Sequence, residues 1–513
     1  MAESRTQHAK RNLFFGMVNK VFAMIMPFLS RTALIYVLGM EYVGLNVLVA
    51  SILQVLNLAD LGIGTAIVYA LYEPVANDDV PAIKALMNYY RVVYRAIGGV
   101  IAIFGLAVMP FLPRLINGSP PEGVNIYVLY LAYLANTVIS YLLFAYKQAL
   151  PTAMQRVDVI SNVNTIISIV LNLAQVVALL LWANYYVYLF LIPASTILGN
   201  LIMSFHIDRT YPQYKPEGNI STEQRKSIRK HVAGLTIQRV CVTTRNSLDS
   251  MFLSAFMGLV IAGIYDNYFM IMSVLTSFLA VVSQAILPTV GNSIVTDSRE
   301  KNYQDMRTMN FLYLLVSGWC SSCLLCLYQP FMSIWAGSKG MLGFNVVVLL
   351  VLYFYALKMG DIITLYASGA GLWWENRWRA ISESVLNVIL NYIFIQIWGV
   401  AGIVASTLTS LLLVNFGLGT GIIFKYYFKN GKIGEYFFEQ FRYFLATAVI
   451  CFIAYRVCMF VPVDSIVTFL VRGVVCAVVT AALYLVIYCR NDMFRSAIRW
   501  AMSVVRPAAE EQQ

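Results

Sequence analysis

Ten ionisable side chains fall inside long apolar stretches of this 513-residue chain: Lys20, Arg31, Asp60, Arg239, Arg245, Asp249, Lys358, Asp361, Arg456 and Arg472. A charge in hydrocarbon is costly and persists where it meets a partner or a water-filled cavity. Arg and Lys are natural ligands of phosphate oxygens, so Arg31, Arg239 and Lys20 are the candidate anion-binding residues. Lys20 and Arg31 are eleven residues apart, close to three helical turns, which puts both on one helix face. Each cation has a second reading, as a partner of Asp60 or Asp249 or as a chain that snorkels to the surface. Asp60, Asp249 and Asp361 are the acids suited to ion coupling or to a cavity wall. Arg245 and Asp249, spaced i, i+4, and Lys358 and Asp361, spaced i, i+3, can also satisfy each other. Asp60 lies in Leu58-Ala59-Asp60-Leu61-Gly62-Ile63-Gly64, where it either caps a break in the helix or binds a cation. Arg456 and Arg472 suit structural or lipid-headgroup contacts. Asp266 and Glu383 lie near the ends of predicted spans, where solvent contact is expected.

The elements that must position these groups are membrane helices. Hydrophobic residues make up 60% of the chain and charged residues 12%, with mean hydropathy +0.71, whereas soluble domains carry about a quarter charged residues. A helix needs about 20 apolar residues to cross a bilayer. About fourteen such runs are predicted, among them 13–38, 46–72, 263–290 and 379–398. They do not show the alternation of a transmembrane barrel.

The pattern is written twice. Lys20, Gly39 and Gly44 recur as Arg239, Gly258 and Gly263 at a constant offset of 219 residues. Pro110-Phe111, Arg156 and Leu171-Asn172 recur as Pro330-Phe331, Arg377 and Leu390-Asn391. The expected fold is an all-α integral membrane protein of about 14 transmembrane helices, with two parallel six-helix repeats and two C-terminal helices. The predicted organisation is an N-terminal six-helix lobe over 1–206, a cytoplasmic linker over 207–231, a C-terminal six-helix lobe over 232–428, and two appended helices with a tail over 429–513. An even number of helices per repeat relates the copies by a pseudo-twofold axis along the membrane normal, with Lys20 opposite Arg239.

Of the 36 Lys and Arg, seven lie in predicted spans, and only Arg114 and Lys339 fall in segments predicted outside. The positive-inside rule then places both termini in the cytoplasm. The net charge of +11 is a topology signal spread over every inner loop, which argues against nucleic acid as a partner. The first apolar run is too long for a signal peptide, is interrupted by Lys20 and Arg31, and is read as a retained helix. Pro27, Pro193 and Pro288 fall inside spans, as bending points or constitutive kinks.

Three histidines, His8, His206 and His231, all lie at or outside span ends, and the sequence has neither a Walker A loop nor HExxH. ATP-driven transport by this chain alone, zinc chemistry and a bound cofactor are not expected. Cys320, Cys323 and Cys326 have metal-like spacing but sit mid-span without a His or acid beside them, and are read as packing with no metal. Outer loops of about ten residues or fewer leave little room for the outer domain of a glycan polymerase, so no enzyme activity is expected.

One combination of residues is more specific. It comprises Arg31-Thr32-Ala33-Leu34-Ile35-Tyr36-Val37-Leu38-Gly39-Met40-Glu41-Tyr42-Val43-Gly44-Leu45-Asn46, the Asp60 motif above, and Ala70-Leu71-Tyr72-Glu73-Pro74. Further on come Asn246-Ser247-Leu248-Asp249, Phe256-Met257-Gly258-Leu259, Ala262-Gly263-Ile264-Tyr265 and Gly399-Val400-Ala401-Gly402-Ile403. Over nearly the whole chain this resembles the bacterial polysaccharide transporters, the oligosaccharide flippases of the multidrug, oligosaccharidyl-lipid and polysaccharide exporter superfamily.

The resemblance implies a flippase of the bacterial cytoplasmic (inner) membrane. Such a protein would move undecaprenyl-diphosphate-linked oligosaccharide from the inner to the outer leaflet by alternating access, for envelope polysaccharide synthesis. It implies that Arg31, Arg239 and Lys20 hold the diphosphate, that the lipid tail stays among membrane lipids, and that polar and aromatic cavity residues meet the sugars. A multidrug or metabolite exporter of the same superfamily is the nearest alternative, although a positive cavity disfavours cationic drugs. A membrane glycan polymerase is the next. With no nucleotide site, proton or sodium coupling is expected.

Overall fold

In hydrocarbon every backbone N–H and C=O must be satisfied within the chain, and among the described residues each regular element is a helix. The computed structural model describes residues 21–22, 24–60, 62–372 and 374–497. In chain order the helices are α1 Met24–Val37, α2 Met40–Leu56, α3 Ile63–Ala76, α4 Val80–Val108, α5 Ile126–Leu142, the short α6 Ala149–Ala153, α7 Val157–Trp182, α8 Tyr185–Thr210 and α9 Thr222–Met257. There follow α10 Leu259–Thr296, α11 Arg299–Ala336, α12 Phe344–Gly369, α13 Arg377–Trp398, α14 Val400–Ser410, α15 Gly419–Ile423, α16 Ile433–Cys458 and α17 Ile466–Tyr488. Two π-helical segments, Leu411–Leu418 and Phe424–Phe428, join α14 and α15 into one apolar stretch.

Among the described residues ten helical stretches are long and apolar enough to cross a membrane, or eleven if the bent pair Ile126–Leu142 and Ala145–Ala153, at 54°, is one span. The expected spans that do not appear in this number are 13–38, 46–72 and 233–257, the last of which lies within α9 and carries Arg239, Arg245 and Asp249. The predicted span 46–72 is divided into α2, of 17 residues, and α3, of 14, by a 3-10 turn at Asn57–Asp60 and by Gly62, at φ 93°. The predicted span 13–38 begins in residues outside the described set. The divide falls at Asp60, where the sequence allows a helix break; the Asp60 side chain lies outside the described residues.

The chain forms two compact units, Met1–Asp266 and Asn267–Gln513. This division is one of packing, and it leaves the hydrophilic stretch 207–231 within the first unit. There α9 starts from a capping box between Ser221 and Gln224 and runs along α2, where Ser247 Oγ donates to Gln54 Oε1 at 3.0 Å. Leu45, Leu48, Leu129, Tyr130 and Leu189 form part of its buried core.

The sequence repeat has a direct counterpart in this unit. Gly39 (φ 109°, ψ 173°) and Gly258 (φ 89°, ψ 169°) precede α2 and α10 in one shared backbone conformation, which glycine adopts without strain. Five residues further on, Gly44 and Gly263 meet. A Cβ on Gly44 would strike the Leu259 carbonyl, and one on Gly263 would stand 2.9 Å from both Gly44 N and Met40 O. Met40 and Leu259 are also repeat-equivalent. The crossing of α2 and α10 is therefore symmetric under exchange of the copies, and its small residues let backbone approach backbone.

In the second unit α12, α16 and α17 pack around α11. A Cβ at Gly318 would strike the Tyr484 hydroxyl, which bonds Thr447 Oγ1 at 2.9 Å. This close fit docks the two C-terminal helices on α11. Gly402 plays a like part in the hairpin of α13 and α14, where a Cβ would run into the Phe394 backbone. At the turn between α10 and α11, hydrogen bonds from Lys301 and Ser293 hold the Asp297 carboxyl below the usual carboxylate range.

Candidate functional site

Arg31 lies eight residues before Gly39 on α1, and Asp266 eight residues after Gly258 on α10. The two glycines occupy equivalent turns, so both side chains sit at similar depth, about 12 Å along their helices at 1.5 Å per residue. Arg31 Nη1 bonds Asp266 Oδ2 at 2.7 Å, with side chains 16% and 25% exposed. Asp266 is thus held in an ion pair, where the sequence predicts solvent contact. The physical reason is that α10 begins at Leu259, four residues before the predicted span at 263, which carries Asp266 inward. Beside it, Ser30 Oγ bonds Asn172 Oδ1 at 2.7 Å and fixes α1 against α7. A guanidinium offers five N–H donors in a rigid fork, more than one carboxylate uses, so Arg31 can exchange between carboxylate and phosphate oxygens.

The other predicted site residues are placed unevenly. Lys20 lies outside the described residues, and Arg239 is on α9 with its side chain outside them, as for Asp60. Arg245 and Asp249 are buried one turn apart on α9, 6% and 4% exposed. Lys358 Nζ bonds Asp361 Oδ2 at 2.7 Å, as their spacing predicts, with Lys358 buried and Asp361 partly open.

A second charged group escapes the sequence reading. Glu383, predicted to meet solvent, is buried with Arg379 on α13, their side chains 9% and 7% exposed and 3.5 Å apart. Asn376 Oδ1 accepts from Arg379 Nε at 3.0 Å, and Asn415 Nδ2 donates to Glu383 Oε2 at 3.1 Å. Asn415 lies in the π-helical segment, and such segments re-aim side chains and recur at functional sites. The only sequence signal was the i, i+4 spacing of Arg379 and Glu383. Glu383→Leu should destabilise the protein by about 3–5 kcal/mol by leaving Arg379 buried without its carboxylate, while Arg379→Met with Glu383→Leu should recover most of that loss. Thermal unfolding of the three proteins checks this; a double variant no more stable than the single one would show that the pair is not the cause.

Among the described residues, those that could hold a metal are Cys326, Cys458 and Cys476, whose Sγ atoms all lie within 4.8 Å of one another. They come from α11, α16 and α17, and only Cys326 belongs to the trio spaced in sequence. Thiols suit a soft ion, but these pack with Ala454 and, at the margin, Leu327 and Val479, where a neutral thiol behaves as a small apolar group.

The family model described as polysaccharide biosynthesis protein matches residues 9–293. The chain belongs to that family. No curated protein matches it in sequence. Among solved structures, this family member resembles lipid II flippase MurJ in an inward closed conformation, with 13% identity, TM-score 0.66, and 95% of this chain and 100% of that one covered. It also resembles an inward-facing multidrug resistance MATE transporter of the MOP superfamily, at 14% identity and TM-score 0.62, covering 78% of this chain and 94% of that one. A third likeness is to a mutant of the Vibrio cholerae MATE transporter VcmN, at 11% identity and TM-score 0.56, covering 83% of this chain and 99% of that one. At these identities the likeness is one of fold, shared with the lipid II flippase MurJ and with MATE transporters.

Proposed function

We propose that this protein moves a glycan carried on undecaprenyl diphosphate from the inner to the outer leaflet of the bacterial cytoplasmic membrane, with both its termini in the cytoplasm. The observation that carries the reading is the Arg31–Asp266 pair, a half-buried guanidinium well inside the apolar helices of a polysaccharide biosynthesis protein. The likeness in fold to a lipid II flippase supports a lipid-borne cargo.

In this mechanism Asp266 holds Arg31 until cargo arrives. A diphosphate carries more charge and more acceptor oxygens than a carboxylate, so it displaces Asp266 from the guanidinium. Arg239, from the second repeat, and Lys20, on the same predicted helix face as Arg31, add positive charge. Asp60, Asp249 and Asp361 are the acids for ion coupling, to a proton or to sodium. Parting of α2 from α10 at the Gly44–Gly263 crossing opens the outer side, while the linker 207–231 joins the two lobes. No covalent bond is made or broken.

The same fold in MATE transporters makes drug export the rival reading, and reconstitution separates the two. Liposomes holding the purified protein and lipid-linked oligosaccharide extracted from cells depleted of it are treated with an external, impermeant glycosidase. The protein should render the inner-leaflet share digestible. Continued protection of that share, together with export of a cationic dye, would transfer the assignment to drug transport.

A further inference from the structure

We infer that the first compact unit contains a separate, uncharged site that binds the sugar part of the cargo, an inference that rests on the reading above. A cavity of about 480 Å³ lies among α3, α4, α5, α6 and α8, within the range of about 300–1,000 Å³ usual for small-ligand sites. Among the described residues no charged side chain lines it, so it suits neither a diphosphate nor a cationic drug.

The amides of Asn57, Asn136 and Asn200 line its wall. In each of them one buried amide atom has no hydrogen-bond partner: Oδ1 of Asn57, Oδ1 of Asn136 and Nδ2 of Asn200. Buried polar groups are nearly always satisfied. Three exceptions around one cavity describe a ligand that both donates and accepts. The rings of Tyr90, Tyr94 and Tyr141 also line the cavity; Tyr94 lies 4.3 Å from Tyr90 and 5.2 Å from Tyr141 between centroids.

A pyranose matches this wall. Its hydroxyls, and any acetamido group, exchange hydrogen bonds with planar amides, and its C–H face lies against an aromatic ring. Local sequence makes the room. The helix breaks at Asn57–Asp60, and at Gly64 a Cβ would stand 2.9 Å from the Tyr90 hydroxyl.

The test is equilibrium binding of two probes to the full chain in nanodiscs: undecaprenyl diphosphate, and lipid-linked oligosaccharide extracted from cells depleted of the protein. Wild type should bind the glycan-bearing lipid more tightly. Asn136→Ala with Asn200→Ala should weaken that binding by roughly tenfold or more, since two hydrogen-bonding groups are removed, and leave undecaprenyl diphosphate unaffected. Val68→Phe, which fills the cavity and keeps every amide, should give the same selective loss and carries the test if the first variant does not fold.

Equal loss for both lipids, or no loss for either, would overturn the site. A wild type that does not prefer the glycan-bearing lipid, yet moves it in liposomes, would overturn the site and leave the flippase reading standing. Glycan preference lost in the variants, without movement by wild type, would support the site and refute the flippase.

Discussion

Arg31→Ala should slow movement of lipid-linked glycan by roughly a hundredfold or more, because removing one charged partner of a desolvated anion costs about 3 kcal/mol. It should also lower stability, towards the small end of the about 3–5 kcal/mol lost when a buried pair is broken on one side, since Arg31 and Asp266 are 16% and 25% exposed. The two effects separate in Arg31→Met with Asp266→Leu. This apolar pair should unfold near the wild-type temperature and still fail to move cargo, as read by impermeant glycosidase. Recovery of movement in that double variant would make Arg31 a structural partner of Asp266 and nothing more.

Gly44→Ala should also have a large effect for so small a change. Its methyl meets the Leu259 carbonyl, a backbone atom that cannot turn aside. Overpacking of this kind costs about 1–3 kcal/mol, and it falls on the contact where α2 and α10 must close. Movement of cargo and unfolding temperature should both drop, and Gly263→Ala should act in the same direction because it meets Gly44 N and Met40 O at 2.9 Å. Gly99→Ala is the control, since a Cβ there meets nothing within 4 Å; it should match or slightly exceed wild-type stability. Equal behaviour of all three variants would show that the symmetric crossing is not a working contact.

Much of this fold is legible in the chain because apolar length and glycine placement encode it. The glycines shared between the two repeats are the residues that turn or cross the helices: Gly39 and Gly258 share one backbone conformation, and Gly44 and Gly263 touch. Gly402, in another of the stretches that carry the family resemblance, packs against backbone as well. The break beside Asp60 was one of two readings its glycine-rich surroundings allowed.

The site was less legible, for physical reasons. Asp266 is 235 residues from Arg31, and its depth follows from where α10 starts, which hydropathy fixes only to within a turn. The equal spacing of Arg31 from Gly39 and of Asp266 from Gly258 was the available clue. Burial of Arg379 and Glu383 depends on a π-helical segment that brings Asn415 to them, and neither composition nor periodicity encodes that change of winding. The three asparagines of the cavity look like ordinary helix residues until their unsatisfied atoms are seen around one space.

The most direct test of the central claim is leaflet-resolved accumulation in cells depleted of this protein, read with a lectin that cannot cross the membrane. The account predicts lipid-linked oligosaccharide held on the cytoplasmic leaflet, cleared by wild-type protein and not by Arg31→Ala. Normal amounts on the outer leaflet of depleted cells, in a strain with no second flippase, would contradict it.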